Sequence, residues 1–294
     1  MIRISAEVRY ALAGGGAVVA LETTLVAHGF PPGEGVAVGL ESEAQVRAAG
    51  AVPATVGVLD GEVVVGLTEE ELTRFDVSAR KAGPRDLGAA AAQGAVAATT
   101  VGGTLVVART VGIRFMATGG IGGVHRGHES DVSADLPELA RTPIVVVCSG
   151  AKIVLDLPAT REWLETHGVT VLGWKCDEMP AFYSTSSGLR VDESVENAAE
   201  AVKIVKSRDD LVLKNAILVT VPVPDAFAIE TSELEEILRE ALVLATSRNI
   251  KGKEITPFLL AQMSEKSEGK TLAANIALLE NNARVAAEIA FVLG

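Results

Sequence analysis

Short, nearly uninterrupted apolar runs rich in Val, Ile and Ala alternate along this chain with stretches of helical period, and this alternation constrains the fold most. Apolar runs of that length, bounded by turn residues, mark strands covered on both faces. The strand candidates are residues 17–21, 54–59, 62–66, 104–109, 115–118, 144–148, 170–172 and 217–221. Amphipathic helical stretches lie between them at residues 35–49, 87–98, 133–141, 159–167, 194–206 and 231–248. Asp60–Gly61 joins two of the runs as a hairpin signal, so the sheet is expected to be mixed. The expected class is α/β, a layered α/β/α arrangement with a mixed, largely parallel sheet. No repeat or Ser/Pro-rich linker divides the chain, and the charged stretch 203–210 reads as a solvated helix end. One domain over residues 1–294 is expected.

Charge narrows the partners. Among 294 residues, 26 Lys and Arg face 38 Asp and Glu, a net of −12. A groove for a nucleic-acid polymer needs clustered cations, so none is expected, whereas a single phosphate needs only a local pocket. Cys148 and Cys176 are too few for a disulfide framework or a Cys-based zinc site, which points to a reducing cytoplasm. The opening residues lack the apolar core of a secretory signal. Residues 87–108 carry no charge and are long enough to span a bilayer. Their Gly, Gln and Thr content favours a small-residue buried helix followed by a buried strand, GTLVVAR, so no membrane partner is expected.

Chemistry in such sheets gathers in loops beyond the carboxyl ends of strands. Three junctions stand out. In VVALETTLVAHG, Glu22 follows a buried strand, where desolvation raises a carboxyl pKa and suits it to proton transfer; the alternative is a glutamate bonded to a turn. In FMATGGIGGVHRGHESDVSADL, Gly119, Gly120, Gly122 and Gly123 allow close backbone approach to a ligand. His125, Arg126, His128, Glu129, Asp131, Ser133 and Asp135 follow. Two carboxylates four apart with a serine between suit a hard cation such as Mg²⁺ or Mn²⁺, and Ser133 or Asp131 equally suits a helix cap. In TPIVVVCSGAK, Lys152 stands where a helix is expected to begin; most such lysines are solvated. A partly buried amine in that positive field loses its proton more readily, and a neutral amine adds to carbonyl carbon as an imine. Lys81 and Arg85 are candidates for a phosphate, while Cys148 is read as core. Trp163, Trp174 and Phe182 are read as packing or pocket lining. Asn275, Asn281 and Asn282 interrupt the apolar pattern of a C-terminal helix at helical spacing, and a buried Asn needs partners.

These segments together resemble the pseudouridine-5'-phosphate glycosidase family, also called the indigoidine synthase A-like family. The likeness runs nearly end to end through ALETTLVAHGFP, GAVPATVGVLDG, RKAGPRDL, ATGGIGGVHRG, DVSADLPELARTPIVVVCSGAK, GKEITPFLL and ANIALLENNA. It implies a lyase with glycosidase activity in nucleotide catabolism, converting pseudouridine 5'-phosphate and water reversibly into uracil and ribose 5-phosphate. Because the leaving atom is carbon, protonating a leaving oxygen between two carboxylates is not available. The resemblance implies instead an opened ribose ring and a lysine imine at C1'. That lysine falls on Lys152 and the acid–base carboxylate on Glu22. The Mn²⁺ position falls on Asp131, and substrate contacts on Lys81, Val101, Ser133, Ala134 and Asp135, with His125 nearby. A homotrimer is also implied, and the small residues of 87–98 suit close helix packing within or between subunits. Pro84 in KAGPRDL replaces an arginine of the family pattern, and Val221 in VPVP replaces an asparagine; both changes bear on phosphate or base recognition. The alternatives are an imine-forming lyase on another sugar phosphate and a silent sugar-phosphate binder, which has no need of Glu22, Asp131 and Lys152 together.

Overall fold

Alternation within each buried strand divides the core into two layers, one on either face of a single large sheet. On one face Val18, Ala20, Met116, Val146 and Leu218 meet Leu105 and Val107. On the other, Val19, Leu21, Phe115, Ala117, Val145 and Val147 meet Val46, Val202, Val285 and Ile289. The computed structural model describes residues 1–250 and 255–294, with backbone alone at 128 and 129. Of the segments carrying the resemblance, Gly252–Glu254 in GKEITPFLL therefore lie outside the described residues.

Across the sheet the main order is Ile2–Ile4, Glu62–Val65, Val52–Leu59, Val18–Glu22, Phe115–Ala117, Val145–Cys148, Ile217–Thr220, Thr170–Trp174 and Glu193–Val195. From Val52–Leu59 to Glu193–Val195 all neighbours run parallel. Val52–Leu59 pairs antiparallel with Glu62–Val65 through the Asp60–Gly61 hairpin, where both residues take positive φ as the turn requires. The sheet is thus mixed and largely parallel, with helices on both faces, as expected.

Register sets the site. Leu21 and Val147 both pair with Ala117, so three adjacent strands end level at Glu22, Thr118 and Cys148. The three chemically marked junctions consequently emerge side by side at the carboxyl ends of central strands. The C-terminal helix Lys270–Leu293 lies across these same three strands and against the helix Gly35–Ala48.

Several local expectations need correction. Residues 104–109 are not a strand; they lie in the helix Val101–Val111, whose first turn is capped by the Thr100 hydroxyl accepting from Gly103 N–H at 3.2 Å. The helix is buried on nearly all sides, so its apolar run carries no periodicity to separate it from a strand. The helix expected over 87–98 stops at Ala92, and Ala97–Thr99 is a strand paired on one side with Val52–Leu59 and on the other with Arg80–Ala82. Lys152 begins no helix either. It lies in a loop, and the next helix, Leu157–Thr166, is capped by the Asp156 carboxylate and opens with Pro158 in its first turn. A small antiparallel sheet of Leu155–Asp156, Val124–His125 and His128–Val132 was not anticipated. Among the described residues no helix is long and apolar enough to cross a membrane.

Candidate active site

Glu22 closes its strand with a side chain that is only 4% exposed. Burial pushes its carboxyl pKa up; the nearby Lys152 ammonium and a hydrogen bond from Thr118 pull part of the way back. That bond runs from Thr118 Oγ1 to Glu22 Oε1 at 2.6 Å. The hydroxyl was not recognised in the sequence, although its place directly after a strand end was visible there.

Lys152 is half-buried and opens into the same cleft. Its peptide N–H donates to Ile121 O at 3.1 Å, which ties the lysine loop to the glycine-rich loop. Gly150 makes this path possible: it has φ +83°, and a Cβ there would lie 2.2 Å from Pro180 O.

Asp135 does something the sequence did not reveal. It is 5% exposed, and its two carboxylate oxygens accept from Gly102 N–H at 2.7 Å and Gly122 N–H at 2.9 Å. It thereby clamps the start of the helix Val101–Val111 to the glycine-rich loop, in line with the favourable placing of an anion at a helix N-terminus. Ser133 supports the clamp, its Oγ accepting from Asp135 N–H at 3.3 Å and its own N–H donating to Gly123 O at 3.0 Å. Asp131 stands apart from Asp135. Its carboxylate is half exposed and meets His125 Nδ1 at 3.1 Å.

One cleft of about 360 Å³ gathers Glu22, Lys81, Val101, His125, Asp131, Ser133, Ala134, Asp135 and Lys152, so all the site residues expected from sequence line a single space. Arg85 joins them at the rim, giving three cations in a chain whose net charge is −12. A smaller apolar recess of about 60 Å³ shares Glu22, Lys81 and Lys152 with the cleft and continues past Leu25, Phe182, Leu260 and Leu279. Asn275 and His28 are among the polar groups that face this recess. Asn275 is 7% exposed, and His28 donates Nε2–H to Ala79 O at 3.0 Å, burial holding its pKa down. Pro84 lines the main cleft, so that departure touches the site. Val221 is buried in the core layer instead and lines neither space.

With this geometry in hand, comparison with known proteins is specific. The family model for indigoidine synthase A like proteins matches residues 7–292. The pseudouridine-5'-phosphate glycosidase of Caldanaerobacter subterraneus subsp. tengcongensis is 48% identical, the alignment covering 99% of this chain and 96% of that protein. The same-named protein of Staphylococcus aureus is 44% identical over 98% and 95%. The chain belongs to the indigoidine synthase A like family. A solved family member, the indigoidine synthase A-like protein of Thermotoga maritima, superposes with a TM-score of 0.91 at 39% identity, covering all of this chain and 96% of the other. The prealnumycin C-glycosynthase AlnA, solved in complex with ribulose 5-phosphate, gives 0.91 at 36% identity, covering all of this chain and 97% of that one.

For the indigoidine synthase A like chain, the donor set limits how a divalent cation can be held. Among the described residues no cluster of three His, Cys, Asp or Glu side chains gathers. Asp135 is engaged by backbone N–H groups and Glu22 is deeply buried, whereas the half-exposed Asp131 carboxylate is an oxygen donor open to the cleft. That set fits a hard, water-rich ion such as Mg²⁺ or Mn²⁺, which takes one or two carboxylates and keeps several waters.

Proposed function

We infer that this chain is a pseudouridine-5'-phosphate glycosidase, cleaving the C-glycosidic bond reversibly to give uracil and ribose 5-phosphate. The observation that carries this is the placing of a buried, weakly acidic carboxyl, Glu22, and the Lys152 amine in one cleft that also presents Lys81 and Arg85. Relatives of that name at 48% and 44% identity support it, as does a solved relative that is a C-glycosynthase holding a pentulose phosphate.

In this reading the phosphate lies toward Lys81 and Arg85, and the base lies in the recess, where the Asn275 amide can meet a uracil edge. Glu22 gives its proton to the ring oxygen as the C1'–O4' bond opens, and the Lys152 amine bonds to C1'. The adduct's nitrogen returns a proton to the Glu22 carboxylate, which passes it to uracil C5 as the C1'–C5 bond breaks, and water hydrolyses the imine left on Lys152 to free ribose 5-phosphate. Asp131, with waters, would hold Mn²⁺, whose positive charge stabilises oxygen anions in the cleft. Ser133, Ala134 and His125 line the substrate's path beside it. The single catalytic domain would act in the cytoplasm as a homotrimer.

The test is direct. Purified protein with Mn²⁺ should release uracil from pseudouridine 5'-phosphate, and borohydride with ribose 5-phosphate should attach the sugar covalently at Lys152, read by peptide mass spectrometry. Lys152→Ala and Lys152→Arg should both abolish turnover, since a guanidinium offers no free amine. A label on Lys81, or an active Lys152→Arg enzyme, would refute the imine.

A further inference from the structure

Asn282 sits in the middle of the helix Lys270–Leu293 and is fully buried. Around it Leu278, Leu279, Ala283, Val285 and Ala286 are all buried and apolar. A buried amide in such surroundings is costly unless its groups are bonded, so where its bonds go is informative.

They go to two loops far apart in sequence. Its Nδ2 donates to Thr118 O at 2.9 Å and approaches Gly119 O at 3.4 Å. The same amide meets Ser149, with Nδ2 3.1 Å from Oγ and the serine hydroxyl 3.3 Å from Oδ1. Thr118 is the residue whose hydroxyl holds Glu22, and Ser149 stands three positions before Lys152. Ser149 also donates its N–H to Gly119 O at 2.8 Å, so the two loops are joined by backbone and locked by one side chain.

We propose that Asn282 is a positioning residue that sets the separation of Glu22 and Lys152, by bonding the loop that orients the carboxyl and the loop that carries the amine to one rigid helix. The proposal rests on the function inferred above. Asn282 acts through Thr118 and Ser149, and it lines neither the cleft nor the recess. The phosphate end, at Lys81 and Arg85, belongs to segments to which Asn282 makes no hydrogen bond, so phosphate capture should be spared while the chemical step suffers.

The experiment compares Asn282→Ala and Ser149→Ala with wild type. In Asn282→Ala kcat for uracil release should fall about 100-fold, the scale of a misplacement near 1 Å, with KM within about two-fold. Ser149→Ala leaves the Thr118 bond and should fall about ten-fold. Borohydride trapping of ribose 5-phosphate should slow by the same factors yet still reach one label per chain. A merely structural role predicts the opposite, fewer labelled chains with an unchanged rate in those that label, and that result overturns the proposal. If Asn282→Ala does not fold, Ser149→Ala decides alone, and a wild-type kcat in it also overturns the proposal. If wild type neither releases uracil nor labels, the functional reading falls and Asn282's role with it. If wild type does both and the variants match it, only the role of Asn282 falls.

Discussion

Glu22 is held where its charged form is disfavoured, and this links catalysis to stability. The folded chain binds that proton more tightly than the unfolded chain, so stability falls as pH rises from the ordinary glutamate value of 4.5 up to the raised one. Glu22→Gln has no such proton to lose. It should lose about 10²–10⁴-fold in turnover, and its melting temperature relative to wild type should climb from pH ~4.5 upward and then level off. Melts across that range check this, and a gap that does not vary with pH would show that Glu22 ionises freely in the fold. Asp131 makes a separable prediction. Asp131→Asn should fold normally and lose most Mn²⁺-dependent activity, because a neutral amide is a poorer ligand for a hard cation. Undiminished wild-type turnover after exhaustive chelation would remove the metal from the reading.

At the level of elements, the glycine-rich loop works by the space its glycines leave. A Cβ on Gly122 would lie 2.2 Å from Ser133 Oγ and 2.7 Å from Asp135 Oδ2, groups fixed by the clamp between loop and helix. Gly122→Ala should therefore cost about 1–3 kcal/mol and most of the activity. Gly88→Ala, at an exposed helix position with open space around it, should stabilise by about 1 kcal/mol and leave turnover alone. Denaturant melts and uracil assays on both variants would separate these. The three junctions were legible because strand, glycine and charged residue follow one another in sequence, and the sheet then brings neighbouring strand ends together. The helix Val101–Val111 was not legible: burial on nearly every side erases the pattern that distinguishes helix from strand. Asp135 was visible as a carboxylate but not as a clamp, since its partners Gly102 and Gly122 are backbone groups that any residue provides.

For the whole molecule, three chains of 30.4 kDa give about 90 kDa, and light scattering on the purified protein should return that mass if the homotrimer forms. A monomer would discard the assembly while leaving the cleft, which one chain lines by itself. The helix Lys270–Leu293 has a consequence of another kind. It follows all three of the strands Val18–Glu22, Phe115–Ala117 and Val145–Cys148 in chain order, yet it covers them. During translation on the order of ten seconds separates Cys148 from that helix at typical elongation rates. Through that interval one face of the central strands, with Val19, Leu21, Phe115 and Val147, lacks the cover that Val285 and Ile289 give it in the finished fold. The nascent chain is then a sticky intermediate and a natural client for chaperones, and a ribosome stalled before residue 270 would release a chain prone to aggregate rather than a slower enzyme.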